Sequence, residues 1–151
     1  MLRNNKGNMF ILTIVLMALV IFIAMVVIEW QRTVTIADNF DLEMSRALKS
    51  SIDLSLKDEY RKDGESVMDC DKAKLEFYNY LYGYMKLDEN LKYYESGKFI
   101  YSVNIKNVKF ISDPPEIFID GNINVAALFF SIINPAYEIN FSKGVHNMRL
   151  D

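Results

Sequence analysis

Few side chains in this chain have the reach for catalysis or metal binding. His146 is the only histidine, so any imidazole chemistry would rest on one residue near the C-terminus. It alternates with Met148 and Leu150, which predicts an edge-strand position rather than a catalytic one. Asp69-Cys70-Asp71 sets two carboxylates around the only cysteine. It lacks the spaced oxygen ligands and turn glycine of a calcium loop, and acidic residues at a helix start account for it. One cysteine excludes an internal disulfide and a multi-cysteine metal site, and the thiol reads as a partly buried small side chain. Asp113, Glu116 and Asp120 surround Pro114-Pro115 and read as solvated turn residues. No phosphate loop, zinc spacing or glycine-rich nucleotide motif occurs. The expectation is therefore no enzyme, no cofactor, no metal and no small-molecule substrate.

The elements that would position any site begin with an apolar run, Met9–Ile28 (MFILTIVLMALVIFIAMVVI), in which Thr13 is the only polar residue. At about 1.5 Å per residue such a run matches the hydrocarbon thickness of a bilayer. No small-residue cleavage site follows it, so it reads as a retained anchor rather than a secretory signal. Arg3 and Lys6 precede it with no acidic residue, which predicts a cytoplasmic N-terminus and an extracytoplasmic remainder. Trp30 suits the interfacial belt at the far end.

All 20 acidic residues follow the run, against 15 of the 17 basic ones, so the outer part carries a formal charge of −5. That balance argues against nucleic acid and against an anionic membrane surface as partner.

From Trp30 to Tyr60 apolar residues recur at steps of three and four, including Val34, Phe40, Met44, Leu48, Ile52 and Leu56. No proline precedes Pro114, and no glycine lies between Gly7 and Gly64. The pattern predicts one continuous helix of about 50 residues whose outer stripe packs on something else, because an isolated helix is marginal in water. If the protein assembles, this stripe is the expected subunit-contact face.

A charged turn at residues 61–66 leads to a second helix, capped by Asp69 or Asp71 and running to Met85, with Leu75, Tyr78, Leu81, Tyr82 and Met85 inward. Its alternating tyrosines would also suit a strand. A short helix over Asp88–Glu95 ending at Gly97 is expected next. Phe99–Ile105 alternates as a strand, stopped by Asp113-Pro114-Pro115. Asp120-Gly121 then reads as a tight hairpin between Ile117–Ile119 and Asn122–Val125. Tyr137–Phe141 and His146–Leu150 alternate on either side of Lys143-Gly144. Val125–Ile133 (VAALFFSII) reads as a strand apolar on both faces, either covered by core on both sides, the simpler reading, or meeting another subunit on one face. The fold class is α+β: a long N-terminal helix, transmembrane then amphipathic, packed on a small C-terminal antiparallel sheet. The expected divisions are a basic leader (1–7), a transmembrane helix (8–28), an amphipathic extension (29–60) and an extracytoplasmic domain (61–151).

The leader Arg3-Asn4-Asn5-Lys6-Gly7, followed by Asn8-Met9-Phe10-Ile11-Leu12 and the amphipathic continuation, resembles the type IV pilin-like proteins. Within these it is most similar to the TadE/TadG-type pseudopilins of tight-adherence pilus systems. The pattern covers residues 3–60; the sheet matches in class only. The resemblance implies a prepilin peptidase cut after Gly7, with Asn8 as the new N-terminus, and other pilin-like or pilus-assembly proteins as partners. Many such proteins carry a glutamate at the fifth mature position, where this chain has Leu12, and that departure implies a minor or assembly subunit. The alternative is a monomeric, signal-anchored extracytoplasmic binding domain.

Overall fold

The computed structural model describes residues 5–57 and 67–146, with side chains from Met9 onward. Its order is α1 (Asn5–Ser55), α2 (Cys70–Gly83), β1 (Lys92–Glu95), β2 (Lys98–Ile111), β3 (Glu116–Ala126) and β4 (Ala136–His146). The strands form one antiparallel sheet in the order β1-β2-β3-β4.

With neither proline nor internal glycine after Gly7, α1 runs unbroken for 51 residues, about 75 Å at 1.5 Å per residue. The two halves of α1 meet different surroundings. The apolar half is long and apolar enough to cross a membrane, and none of its most hydrophobic window is buried inside the protein. The outer half lies on the sheet and α2, burying Phe40, Met44, Ala47, Leu48 and Ile52. Ser51 and Ser55 share that buried stripe and donate to the Ala47 and Ile52 carbonyls, at 2.6 and 3.0 Å, so neither hydroxyl is left unpaired. The helix ends at Ser55, earlier than the predicted boundary at residue 60; residues 58–66, with the predicted charged turn, lie outside the described residues.

Asp69 caps α2, its carboxylate accepting from the Asp71 and Lys72 amides at 3.1 Å. The inward face is Ala73, Phe77 and Leu81, one turn apart, while Leu75 and Tyr82 are exposed. Of the predicted inward residues Leu81 and Met85 are buried and Tyr78 packs partly buried against the core, whereas Leu75 and Tyr82 face outward. Those tyrosines belong to the helix: Tyr78 stacks on Tyr82 and Tyr80 on Tyr84, both at i,i+4, with ring centroids 6.1 and 4.9 Å apart.

The segment expected as a short helix over Asp88–Glu95 is instead a turn and strand. Asp88 accepts from the Asn90 and Lys92 amides, an Asx turn that leads into β1. Ser96 and Gly97 both take positive φ, +50° and +77°, and join β1 to β2.

The predicted hairpin at Asp120-Gly121 is absent. Both residues lie within β3, and the β2–β3 turn is at residues 112–115. Gly121 occupies an inward position between Ile119 and Ile123, where a Cβ would stand 2.3 Å from the Asn104 carbonyl oxygen and 2.8 Å from the Phe141 ring. Glycine is there for close approach, not for a turn. Gly121→Ala is expected to destabilise the domain by about 2 kcal/mol through overpacking, measured by chemical denaturation in detergent.

Lys143-Gly144 likewise lies inside β4. Gly144 pairs with Phe118, whose ring carbons reach within 2.6 Å of where its Cβ would be, so the ring covers the glycine. His146 sits exposed at the end of edge strand β4, as its alternation predicted. Met148 and Leu150 lie outside the described residues.

Candidate functional site at the junction of helix and sheet

The largest departure from expectation is at Val125–Ile133. Only Val125 and Ala126 belong to β3, and residues 127–135 form the loop to β4. Core burial does not hold for it: Ile132 is 98% exposed and Ile133 83%.

This loop is held by one turn of α1 where the apolar half meets the outer half. Glu29 is buried, and its two carboxylate oxygens accept from the Leu128 and Phe129 amides at 2.8 and 2.9 Å. Three residues on, Arg32 donates from Nη1 to the Ala126 carbonyl at 2.7 Å. An i,i+3 pair shares a helix face, so one acid and one base engage donors and an acceptor of the same strand end. Both are charge-assisted bonds, stronger than neutral ones. Thr33, also buried, donates to the Glu29 carbonyl at 2.9 Å. Above them Phe130 meets Phe22 edge to face, centroids 5.8 Å apart.

Between loop, β4 and helix lies a cleft of about 790 Å³ whose walls include Phe22, Val26, Trp30, Val34, Ile133 and Tyr137. Its lining is mainly apolar. A second cleft of about 650 Å³, bordered by Arg32, Glu43, Lys86, Glu95, Tyr93 and Tyr101, carries both charge signs.

Around that second cleft, Glu43 accepts from the Tyr80 hydroxyl at 2.9 Å and from Arg46 at 2.6 Å. Burial, then the Glu43 hydrogen bond, raises the Tyr80 pKa. Burial chiefly, with Tyr93 and Glu43 beside it, pushes Tyr101 up to about 12. A phenol raised in the folded state stabilises the fold below its ordinary pKa near 10 and loses that contribution as pH climbs toward 12. Stability is therefore expected to fall between about pH 10 and 12, and less steeply in Tyr101→Phe, with Tyr80 supplying the remainder. Denaturation midpoints across that range test it.

The residues predicted from sequence are distributed as follows. Lys6, Gly7 and Asn8 fall within the first turns of α1, and Arg3 lies outside the described residues. Trp30 is 70% exposed at the end of the apolar half. The predicted subunit-contact face needs correction: Phe40, Met44, Leu48 and Ile52 are occupied by the protein's own core, Leu56 is half-buried beside Met68, and only Val34 remains exposed. Cys70 is a half-buried free thiol in the first turn of α2. Asp120 accepts from the Ser142 hydroxyl at 2.6 Å, and Glu116 pairs in register with His146. Among the described residues no three His, Cys, Asp or Glu side chains converge as a metal site.

Sequence reasoning missed Glu29 and Arg32. The signal was present: stepping back from Phe40 along the buried stripe reaches Ile36, Thr33 and Glu29, whereas the predicted stripe ran through Trp30 and Val34. Comparison of the chain with protein-family models, with curated proteins and with solved structures finds no match.

Proposed function

We propose that the chain is a membrane-anchored, pilin-like minor or assembly subunit of a tight-adherence-type pilus or secretion system, with its N-terminus cytoplasmic and its α+β domain outside. The observation that carries this reading is the unbroken α1: its unburied apolar half continues, without a hinge, into the helix that forms the domain's core. Such a helix couples the domain rigidly to whatever holds the apolar half. In the bilayer that is lipid; in an assembly it is the equivalent helices of neighbouring subunits. The basic residues Arg3 and Lys6 support the orientation. The action is mechanical: the anchor retains the subunit, and the domain sets spacing and partner choice.

A second reading, a monomeric anchored binding domain with no polymer, is favoured by one observation. The β3–β4 loop grips the chain's own helix through Glu29, Arg32 and Phe22, a contact that a single copy completes alone. Intact mass of the extracted full chain, expressed with and without a prepilin peptidase, separates the two. Peptidase-dependent loss of Met1–Gly7 is the result expected of a pilin-like subunit. An unchanged N-terminus contradicts it and leaves the plain anchor.

A further inference from the structure

We propose that the β3–β4 loop, residues 127–135, is a second membrane contact whose apolar tip inserts among the lipid acyl chains of the leaflet facing the domain. The inference rests on the reading of α1 as a bilayer-spanning anchor and adds to it a site on the folded domain.

Three independent observations support a lipid occupant. The first is exposure without charge. Leu128, Phe129, Ile132 and Ile133 are all exposed, and residues 127–135 contain no ionisable side chain. A soluble protein seldom leaves such a cluster in water.

The second is position. Phe130 rests on Phe22, six residues inside the apolar run that ends at Ile28, which is about 9 Å along the helix axis. If that run lies in hydrocarbon, the loop beside Phe22 lies at the same depth. Exposed Trp30, in the clamp's own turn between Glu29 and Arg32, marks the level at which an indole ring favours the headgroup boundary.

The third is the backbone. Unpaired backbone groups are costly in hydrocarbon, and five of the eight amides in residues 127–134 are bonded within the protein. The Ala127 amide donates to the Pro135 carbonyl at 3.1 Å, and the Ile133 and Asn134 amides donate to the Phe130 carbonyl at 2.9 Å. The Leu128 and Phe129 amides are taken by Glu29. Glu29 thus has a role that an acid at the edge of an apolar helix otherwise lacks: it neutralises the donors of the segment that accompanies the helix into the bilayer.

A second copy of the chain could also cover an apolar tip. The tip's depth beside Phe22 argues for lipid, because at that level lipid surrounds the helix on every side the loop leaves open.

The test uses the full chain in phosphatidylcholine–phosphatidylglycerol vesicles, with Cys70→Ser as background and single cysteines carrying a polarity-sensitive fluorophore. Ile132→Cys reports the loop, Leu16→Cys the middle of the apolar run and Glu89→Cys an exposed turn of the domain between α2 and β1. Phosphatidylcholine spin-labelled at several depths along its acyl chains is expected to quench at least half of the emission at position 132. Iodide should quench position 132 several-fold less than position 89. Lipid quenching at 16 together with iodide quenching at 132 overturns the loop contact and leaves the anchor intact. Protection of 132 from both quenchers also overturns it, and points to a second copy. Iodide access at both 16 and 132 overturns anchor and loop together.

Discussion

Glu29→Ala is expected to destabilise the folded domain by about 3 kcal/mol, since hydrogen bonds to a charged acceptor contribute about 1.5–3 kcal/mol each and two part-buried donors lose their partner. The Leu128 and Phe129 amides point at the Glu29 carboxylate from 2.8 and 2.9 Å, and no neighbouring acceptor replaces it, Arg32 being a donor. Glu29→Gln keeps the shape and one acceptor oxygen but turns an amide nitrogen toward the other donor, so it should lose roughly half as much by the same bond count. Hydrogen exchange provides the local readout. Amides 128 and 129 should exchange much faster in Glu29→Ala while β2 amides keep their protection. Equal loosening across the sheet would mean that Glu29 supports the domain in general rather than this loop.

Phe40→Ala is expected to cost about 4 kcal/mol, within the range measured for deleting a buried aromatic side chain. Phe40 is 3% exposed and faces Phe141 and Tyr101 edge-on, with centroids 5.0 and 6.1 Å away. It therefore joins α1 to both β4 and β2, while Tyr101 continues the contact to Tyr93 of β1, stacked at 5.1 Å. Equilibrium denaturation in detergent, read by tyrosine fluorescence and by far-UV circular dichroism, should show a lower midpoint. The apolar half of α1 should keep its helical signal, because none of its most hydrophobic window is buried in the domain. A midpoint unchanged within error would contradict the packing described for this helix.

These two residues divide the work along one helix. Phe40 makes the outer half of α1 part of the core; Glu29 ties the end of the sheet nearest the apolar half to the turn of α1 that adjoins it. Lys143 adds a third link from β4 to Asp41 at 2.7 Å, although a partly exposed ion pair contributes little. The domain therefore stands on the helix through an apolar contact and a hydrogen-bonded clamp. Its orientation relative to the apolar half of α1 is set twice over.

Long, locally coded elements were legible from sequence. α1 followed from an apolar run continued by steps of three and four with nothing to break it. The α2 start followed from Asp69 or Asp71, of which Asp69 is the cap, a device whose geometry depends only on the next three residues. β2 followed from its alternation. What was not legible depended on partners distant in sequence. Asp120-Gly121 satisfies the local rule for a hairpin, yet the glycine answers to the Asn104 carbonyl and the Phe141 ring, which arrive from β2 and β4. Gly144 answers in the same way to Phe118. Lys92–Glu95 is too short to show a period, so its strand identity comes from pairing with β2. VAALFFSII is apolar enough for either core or lipid, and periodicity does not distinguish them. The deciding contacts, Glu29 to Leu128 and Phe22 to Phe130, span about a hundred residues. Glu29 lies one residue before the stripe predicted from Trp30, and its burial is tolerated because both its oxygens are bonded.

The most direct test of the central claim is labelling of Glu89→Cys, in a Cys70→Ser background, by a membrane-impermeant maleimide on intact cells, followed by recovery of the chain from carbonate-washed membranes. The account predicts a labelled chain that stays with the washed membranes. A chain labelled only after the cells are broken, or one released by carbonate, would contradict an anchored domain facing outward.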